Sequence, residues 1–417
     1  MITPEKALQI ILDSILVLKP EDVHISEILG LVVAKDVFSE ENIPPFDNSA
    51  MDGFAVRSKD TKEASPKDPV TLILRGEAVA AGDTPEIKLK KQIAMEIMTG
   101  APVPQGADTV IPVEFCKKLG DRVIIYTHYP ANMNIRKAGE DIRRDDKVLE
   151  KNKIVYPADI GVLASLGMDK ISVFPKPNVA ILCTGDELVD IKEPLTPGKI
   201  RNSNLYSLSA QVEEVGALPL EYGIIKDDPE EIKEKITDAL EKVDLIITSG
   251  GVSMGEYDYV KKTITEMGAD LKFWKIAQRP GLPMAFWILD DKPIFGLPGN
   301  PVSVMVCFEN YIRPSIFKMM NKKFQPRQII KAKMAHPIKN KRGRVHFVRV
   351  IVYRERDELW VKTTGDQGSG ILKSMAKANG ILTIPYEKSF IERGEYVEVK
   401  MLKPILKTPI PIRIEDF

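Results

Sequence analysis

The sequence predicts a multidomain α/β plus β protein, with a central doubly wound α/β domain, a β-rich domain inserted before it and a small C-terminal β-barrel. Three observations lead there. The chain has 417 residues, too many for one ordinary core. Strand-like and helix-like stretches alternate from residue 178 to about 320, the pattern of a parallel sheet covered by helices. Before and after that region, short apolar runs lie between Gly, Pro and Asp punctuation, as strands do. The expected division is 1–42 with 140–176 as a helical and strand domain, 43–139 as the inserted domain, 177–324 as the α/β domain and 325–417 as the barrel.

The first stretch, MITPEKALQIILDSILVL, reads as an amphipathic helix with Thr3 as N-cap and Pro4 at its first position. It lacks a basic start and carries Glu5 and Asp13, so no signal peptide is expected. A strand follows over Leu31 to Phe38. NIPPFDNSAMDG (Asn42 to Gly53) is a rigid, turn-rich loop that cannot be a helix interior. The inserted domain takes its strands from AVRS, VTLILRGEAVA, KQIAMEIMTG and DRVIIYT. Between them lies a second rigid loop, MTGAPVPQGADTVIPVE. Asn134 to Asp141 packs Arg136, Lys137, Glu140 and Asp141 around Gly139, either as a solvated turn or with Arg136 clamping an oxyanion. ADIGVLASLG, ending at Gly167, is helical and is expected to return to the N-terminal helix. FPKPNV marks a boundary.

In the central domain, Val179 to Cys183 is a strand that runs into TGDEL. Asn202 to Val215 is a helix capped by Asn202 or Ser203. Leu218 to Ile225 is a strand, and Asp227-Asp228-Pro229 opens a helix with cap, proline and acidic first turn in agreement. Val243 to Thr248 is a buried strand broken by Ser249, Gly250, Gly251 and Ser253. Two apolar runs, Leu271 to Ala277 and Met284 to Leu289, precede PIFGLPGNP and a long helix, Val302 to Met319. From about 325 the strands are Arg344 to Val352, Glu358 to Lys362, Ile381 to Ile384 and Tyr396 to Val399, with a short helix, Leu372 to Ala378, after GDQGSG.

Composition narrows the chemistry. Lys and Arg number 59, as do Asp and Glu, so no global field draws the chain to nucleic acid or acidic lipid. Three separated cysteines without C-x-x-C favour a reducing compartment over a disulfide framework or structural zinc. Only four histidines occur, none in ligand spacing, so any metal is expected to be a hard cation held by carboxylates. No run reaches membrane-span length, and a cytoplasmic protein is expected. No P-loop motif is present.

The loops after successive strands (TGDE, SGGVS, GLPGNP) are expected to gather at the carboxyl edge of the sheet, where such folds bind ligands. The paired glycines let backbone N–H groups face an anion. Glu187, Asp227 and Asp258, beside the hydroxyls of Thr184, Ser249 and Ser253, suit a Mg²⁺-assisted phosphate or oxyanion site. Lys275 and Arg279 add positive charge. Each carboxylate alone is more often a cap or surface ion pair; their coincidence at loop positions carries the argument.

Six motifs in order, PPFDNSAMDGFAVR, IMTGAPVPQGAD, NIRKAGEDI, TGDEL, SGGVSMGEYDY and GLPGNPVSV, make the chain resemble the molybdopterin molybdenumtransferases, the MoeA and gephyrin E-domain family. The central part also resembles the molybdopterin adenylyltransferase (MogA-like) fold, which shares the SGG loop. The resemblance implies an elongated homodimer with its site between the α/β domain of one subunit and the Pro-rich-loop region of the other. It implies that adenylylated molybdopterin binds with Mg²⁺, receives molybdate and is cleaved to molybdenum cofactor and AMP, with an adenylyltransferase as partner. Among the matched positions, Asp52, Thr99, Arg136, Asp141, Asp227 and Lys275 are implied to be catalytic. Glu187 and Asp258 are implied to hold Mg²⁺. Thr184, Gly185, Ser249, Gly250, Gly251, Ser253, Arg279, Pro298, Gly299, Asn300 and Pro301 are implied to bind the substrate. Many relatives carry Lys at the positions of Arg279 and Leu282, which leaves room for tungstate in place of molybdate. The alternatives are an adenylyltransferase, which would not require the flanking β domains, and a gephyrin-like scaffold without catalysis.

Overall fold

The protein is described here from a computed structural model covering residues 1–85, 87–252, 259–323 and 326–405. Two compact units emerge. One contains Met1–Glu21, Gly30–Val32 and the chain from Phe174 on; the other contains Asp22–Leu29 and Val33–Val173.

The second unit is built on a six-stranded sheet in the order Thr109–Pro112, Gly53–Val56, Ile93–Ile97, Val70–Leu74, Arg122–Ile125, Cys116–Leu119. Successive residues of a strand point to opposite faces, and both faces here are apolar. Phe54, Val56, Ala94 and Ile111 enter one core, and Ala55, Met95, Ile97 and Val110 the other. Gly53 is demanded by close approach, since a Cβ there would lie 2.0 Å from the Ile111 carbonyl oxygen. The Pro-rich loop before it is stitched to the segment around Gly139. Asn48–Ser49 pairs with Ile135–Arg136, and the N–H groups of Gly139 and Asp141 donate to the Pro44 and Ile43 carbonyls at 2.9 and 3.0 Å.

In the first unit the helix is Pro4–Ser14, with Thr3 Oγ1 accepting from the Lys6 N–H at 3.2 Å. This helix packs against Phe308–Met319, and the Leu18 N–H donates to the Met319 carbonyl at 2.8 Å. It therefore belongs with the α/β unit, whereas the helix Pro157–Ser165 lies in the other. The expected strand over Leu31 to Phe38 is two short pieces, Val32–Val33 and Val37–Phe38.

The central sheet runs Leu218–Ile225, Asn178–Thr184, Leu245–Ser249, Lys292–Leu297, Ala285–Leu289, Asp270–Trp274. The first four strands are parallel, Ala285–Leu289 runs against them, and Asp270–Trp274 pairs antiparallel to Ala285–Leu289. Cys183 is level with Ser249, and Ser249 with Leu297. The three central strands therefore release their chains side by side at one edge. Ile246, Ile294, Ala180 and Trp287 fill one core with Ile232, Ile236 and Ile264 from the covering helices.

The long helix after Asn300 is not regular throughout. Pro301–Cys307 and Arg313–Met319 are α-helical, and Phe308–Ile312 is a π turn. The ring of Pro314 would collide with the carbonyl four residues earlier in a regular helix, and a widened turn relieves that crowding. The same turn presents Glu309, nearly buried, to Arg327 (3.1 Å) and Arg313 (3.9 Å), while Arg327 also reaches Glu214 at 2.9 Å. Lys400 Nζ donates to Asn310 Oδ1 at 2.8 Å, tying the helix to the C-terminal strands.

Those strands close on themselves. Val345–Glu355, Glu358–Thr363, Ile329–Met334, Tyr396–Met401 and Gly380–Ile384 pair in a ring of five, with Gln278–Arg279 added outside Val345–His346. Ile329–Met334 is an element the sequence reading missed, although Ile330, Ala332 and Met334 alternate with Lys331 and Lys333 and face the core.

Trp287 is fully buried in the central core. Trp287→Ala is expected to cost about 3–5 kcal/mol, measured as a fall in the urea midpoint of this unit with little change in the slope of the transition.

Candidate functional site

Where the three central strands end, a cleft of about 520 Å³ opens. Thr184 and Glu187 come from the TGDE loop, Ser249 from the SGG loop, and Gly299, Asn300 and Pro301 from the proline loop. Arg201 to Asn204, at the start of the helix Ser203–Glu214, and Gly370 with Leu372 complete it. Local geometry forces the convergence. Gly250 has φ +105°, and a Cβ there would sit 2.4 Å from the Thr184 carbonyl oxygen, so the two loops touch through backbone. The Gly250 N–H donates to the Leu297 carbonyl at 3.0 Å. Asn204 closes the set: its Nδ2 donates to Ser249 Oγ at 2.8 Å and to the Gly299 carbonyl at 2.7 Å.

Three polar atoms of lining residues lack hydrogen-bond partners although buried, Thr184 Oγ1, Asn202 Nδ2 and Asn204 Oδ1. Leaving such atoms unpaired is costly, so the cleft is built for polar groups of a ligand. Glu187 supplies its carboxylate, folded close to Gly185, where a Cβ would meet it at 2.5 Å. Asp227 is joined to this edge through its N–H, which donates to Asp186 Oδ1 at 3.4 Å, but it does not line the cleft. Ser253 and Asp258 lie outside the described residues. Among the described residues no three His, Cys, Asp or Glu side chains gather as a metal cluster.

The expected cations are elsewhere in the same unit. Lys275 has φ +74° and its ammonium stands 3.8 Å over the Trp274 ring, and Pro298 ends outside the lining. Arg279 lies on the short strand beside Val345–His346. There it faces Arg349, a fully buried guanidinium whose importance the sequence did not signal. Arg349 Nε donates to Ser374 Oγ at 3.0 Å and Nη2 to the Gly368 carbonyl at 3.0 Å, whereas Nη1 has no acceptor. Burial pushes Arg349 down to about 10, with the Arg279 charge adding to it against Asp366. Burial, then Arg279 and Arg349, hold His346 at about 4. The imidazole is therefore neutral at pH 7, and its Nε2 is also without a partner. His346 Nδ1 donates to Asn340 Oδ1 at 3.1 Å, so Nε2 is a bare acceptor. It is the unpaired Nη1 donor of Arg349, with the Arg279 charge near it, that favours an anion. The GDQGSG loop runs between the two places, since Ser369 O accepts from the Val302 N–H at 3.1 Å and Gly370 lines the cleft.

In the other unit, Asp52 and Thr99 are directly bonded: Asp52 Oδ1 accepts from the Thr99 N–H and hydroxyl, both at 2.7 Å. The Thr99 hydroxyl, then its N–H, holds the Asp52 carboxyl below its ordinary value. Arg136 and Asp141 sit on the segment stitched to the Pro-rich loop, both exposed.

Comparison with known proteins gives a consistent result along the chain. Family descriptions match in order: the MoeA N-terminal region (domain I and II) over residues 2–167, a probable molybdopterin binding domain over 180–318, and the MoeA C-terminal region (domain IV) over 331–402. The molybdopterin molybdenumtransferase of Haemophilus influenzae is 34% identical across 93% of this chain and 95% of its own length. That of Bacillus subtilis is 34% identical across 92% and 90%. A solved structure of the molybdopterin biosynthesis MoeA protein from Pyrococcus horikoshii is 31% identical, covers 97% of this chain and all of its own, and superposes with a TM-score of 0.79.

Thr99→Val removes one of the two donors to Asp52 while keeping the backbone N–H. The Asp52 pKa should rise toward its ordinary value, so that the remaining bond is lost at higher pH on acidification. Carboxyl carbon chemical shifts followed through a pH titration check this.

Proposed function

The chain belongs to the molybdopterin molybdenumtransferase (MoeA) family, enzymes of molybdenum cofactor biosynthesis, and from that premise we propose that it inserts molybdate or tungstate into adenylylated molybdopterin with release of AMP. The observation that carries the reading is the convergence of Thr184, Glu187, Ser249 and the proline loop in one cleft at the carboxyl edge of the sheet. A cleft built from strand ends, backbone N–H groups and a helix start suits a large polar ligand. Gly370 and Leu372, from the chain beyond the α/β domain, also line it, which favours this reaction over adenylyl transfer by the α/β domain alone.

Mg²⁺ is compatible with the donors present. It is bound through one or two carboxylates together with substrate phosphates rather than in an all-protein cage, and Glu187 offers one carboxylate in the cleft. In this reading Glu187 and Asp258 hold the ion, which neutralises phosphate charge. The oxyanion is proposed to lie against Arg349, whose charge is buried and incompletely paired, and the exposed Arg279 near it. A dianion placed there gains charge-assisted hydrogen bonds in a site already shielded from water. Asp52, Thr99, Arg136, Asp141, Asp227 and Lys275 are proposed to serve the same reaction. We further propose a homodimer, a cytoplasmic setting and delivery of substrate by an adenylyltransferase; no described helix is long and apolar enough to cross a membrane.

The test is AMP release from adenylylated molybdopterin by the purified chain with Mg²⁺ and molybdate. Release should depend on the oxyanion and be abolished in Glu187→Ala; AMP formation undiminished by that substitution would refute the role. Arg349→Met should raise the molybdate concentration for half-maximal rate roughly tenfold or more, with thermal melting confirming a folded variant. Sedimentation should give a species of twice 46.6 kDa.

A further inference from the structure

Asn204 is the second residue of the helix Ser203–Glu214, more than nine-tenths buried at 8% exposure, and lines the cleft. Its amide cannot be turned round. Gly299 presents a carbonyl oxygen, which only accepts, so the NH₂ must face it at 2.7 Å, and the second N–H is spent on Ser249 Oγ at 2.8 Å. Both donors are thus consumed in joining the two loops. The carbonyl Oδ1 is left as a fixed acceptor with no donor among the described residues.

Molybdate, or the esterified diphosphate of an adenylylated substrate, offers only acceptor oxygens to this atom at neutral pH and would be repelled by it. A pterin ring carries N–H donors on its amide and amine edge and would satisfy it. We infer that Asn204 is a specificity-determining residue for the pterin end of the substrate, its Oδ1 accepting one pterin N–H, and that the phosphate end of the same molecule lies away from it. The inference rests on the function proposed above and adds an orientation to it. Asn204 also acts as a positioning residue, because the same amide holds the SGG and proline loops together.

The experiment titrates the full-length chain with pterin, 3-methylpterin and 2-dimethylaminopterin, followed by pterin fluorescence. Each methylated compound has lost one N–H position. One of them should bind the unaltered chain roughly ten- to a hundredfold more weakly than pterin, the penalty for an unmet buried acceptor. In Asn204→Leu that difference should vanish. Equal affinities of all three compounds for the unaltered chain would overturn the inference, and would leave Oδ1 to water or a cation. A difference that persists in Asn204→Leu would overturn it as well, by assigning the N–H to another acceptor. The series on the unaltered chain decides even if Asn204→Leu fails to fold. If AMP binds and no pterin does, the reading of the cleft as a pterin site fails together with the inference. Equal binding of all three pterins by the unaltered chain overturns the inference alone and leaves the reading of the cleft standing.

Discussion

The site depends on strand register. Because Cys183, Ser249 and Leu297 are level across three parallel strands, the loops that follow them start from one line and meet without long excursions. A slip by one residue in any of these pairings would turn alternate side chains to the other face. It would also part the backbone contact between Gly250 and Thr184. The fully buried positions of these strands, including Ala180, Ile246 and Ile294, lock the register from below, so the apolar core and the polar cleft are fixed by the same pairing.

A second layer of organisation joins the α/β domain to the barrel. Gln278–Arg279 lies between two strands of the central sheet, Asp270–Trp274 and Ala285–Leu289, and adds a strand beside the barrel. The π turn lets Tyr311 donate to Gln278 Oε1 and lets Glu309 bind Arg327 and Arg313. Buried charges of this kind contribute little net stability but are costly to break.

Much of this was legible in the sequence where local chemistry and tertiary need coincide. Thr3-Pro4, Asn202, and Asp228-Pro229 start helices where caps and prolines say they should. The glycine and proline loops likewise proclaim a ligand-facing edge, and Thr184, Glu187, Ser249 and Gly299 to Pro301 do share one cleft. What was hidden depends on long-range partners. Arg349 reads as one cation in an apolar strand, HFVRV, and only folding shows that its partners are the Gly368 carbonyl and Ser374. Asn204 reads as a helix start residue, and its role rests on Ser249 and Gly299, 45 and 95 residues away. The π turn is invisible to an apolar period of 3.6, which continues smoothly through Phe308–Ile312.

The ring of five C-terminal strands has a further consequence for the life of the chain. A sheet closed on itself offers no unpaired border to a neighbouring molecule, whereas the central sheet ends in Leu218–Ile225 with Leu218 and Leu220 exposed. Its pairing with Asn178–Thr184 is interrupted between Ile181 and Leu182, which twists that border out of the flat form that self-templating requires. Crowded, newly made copies are thereby hindered from zipping together along that flank.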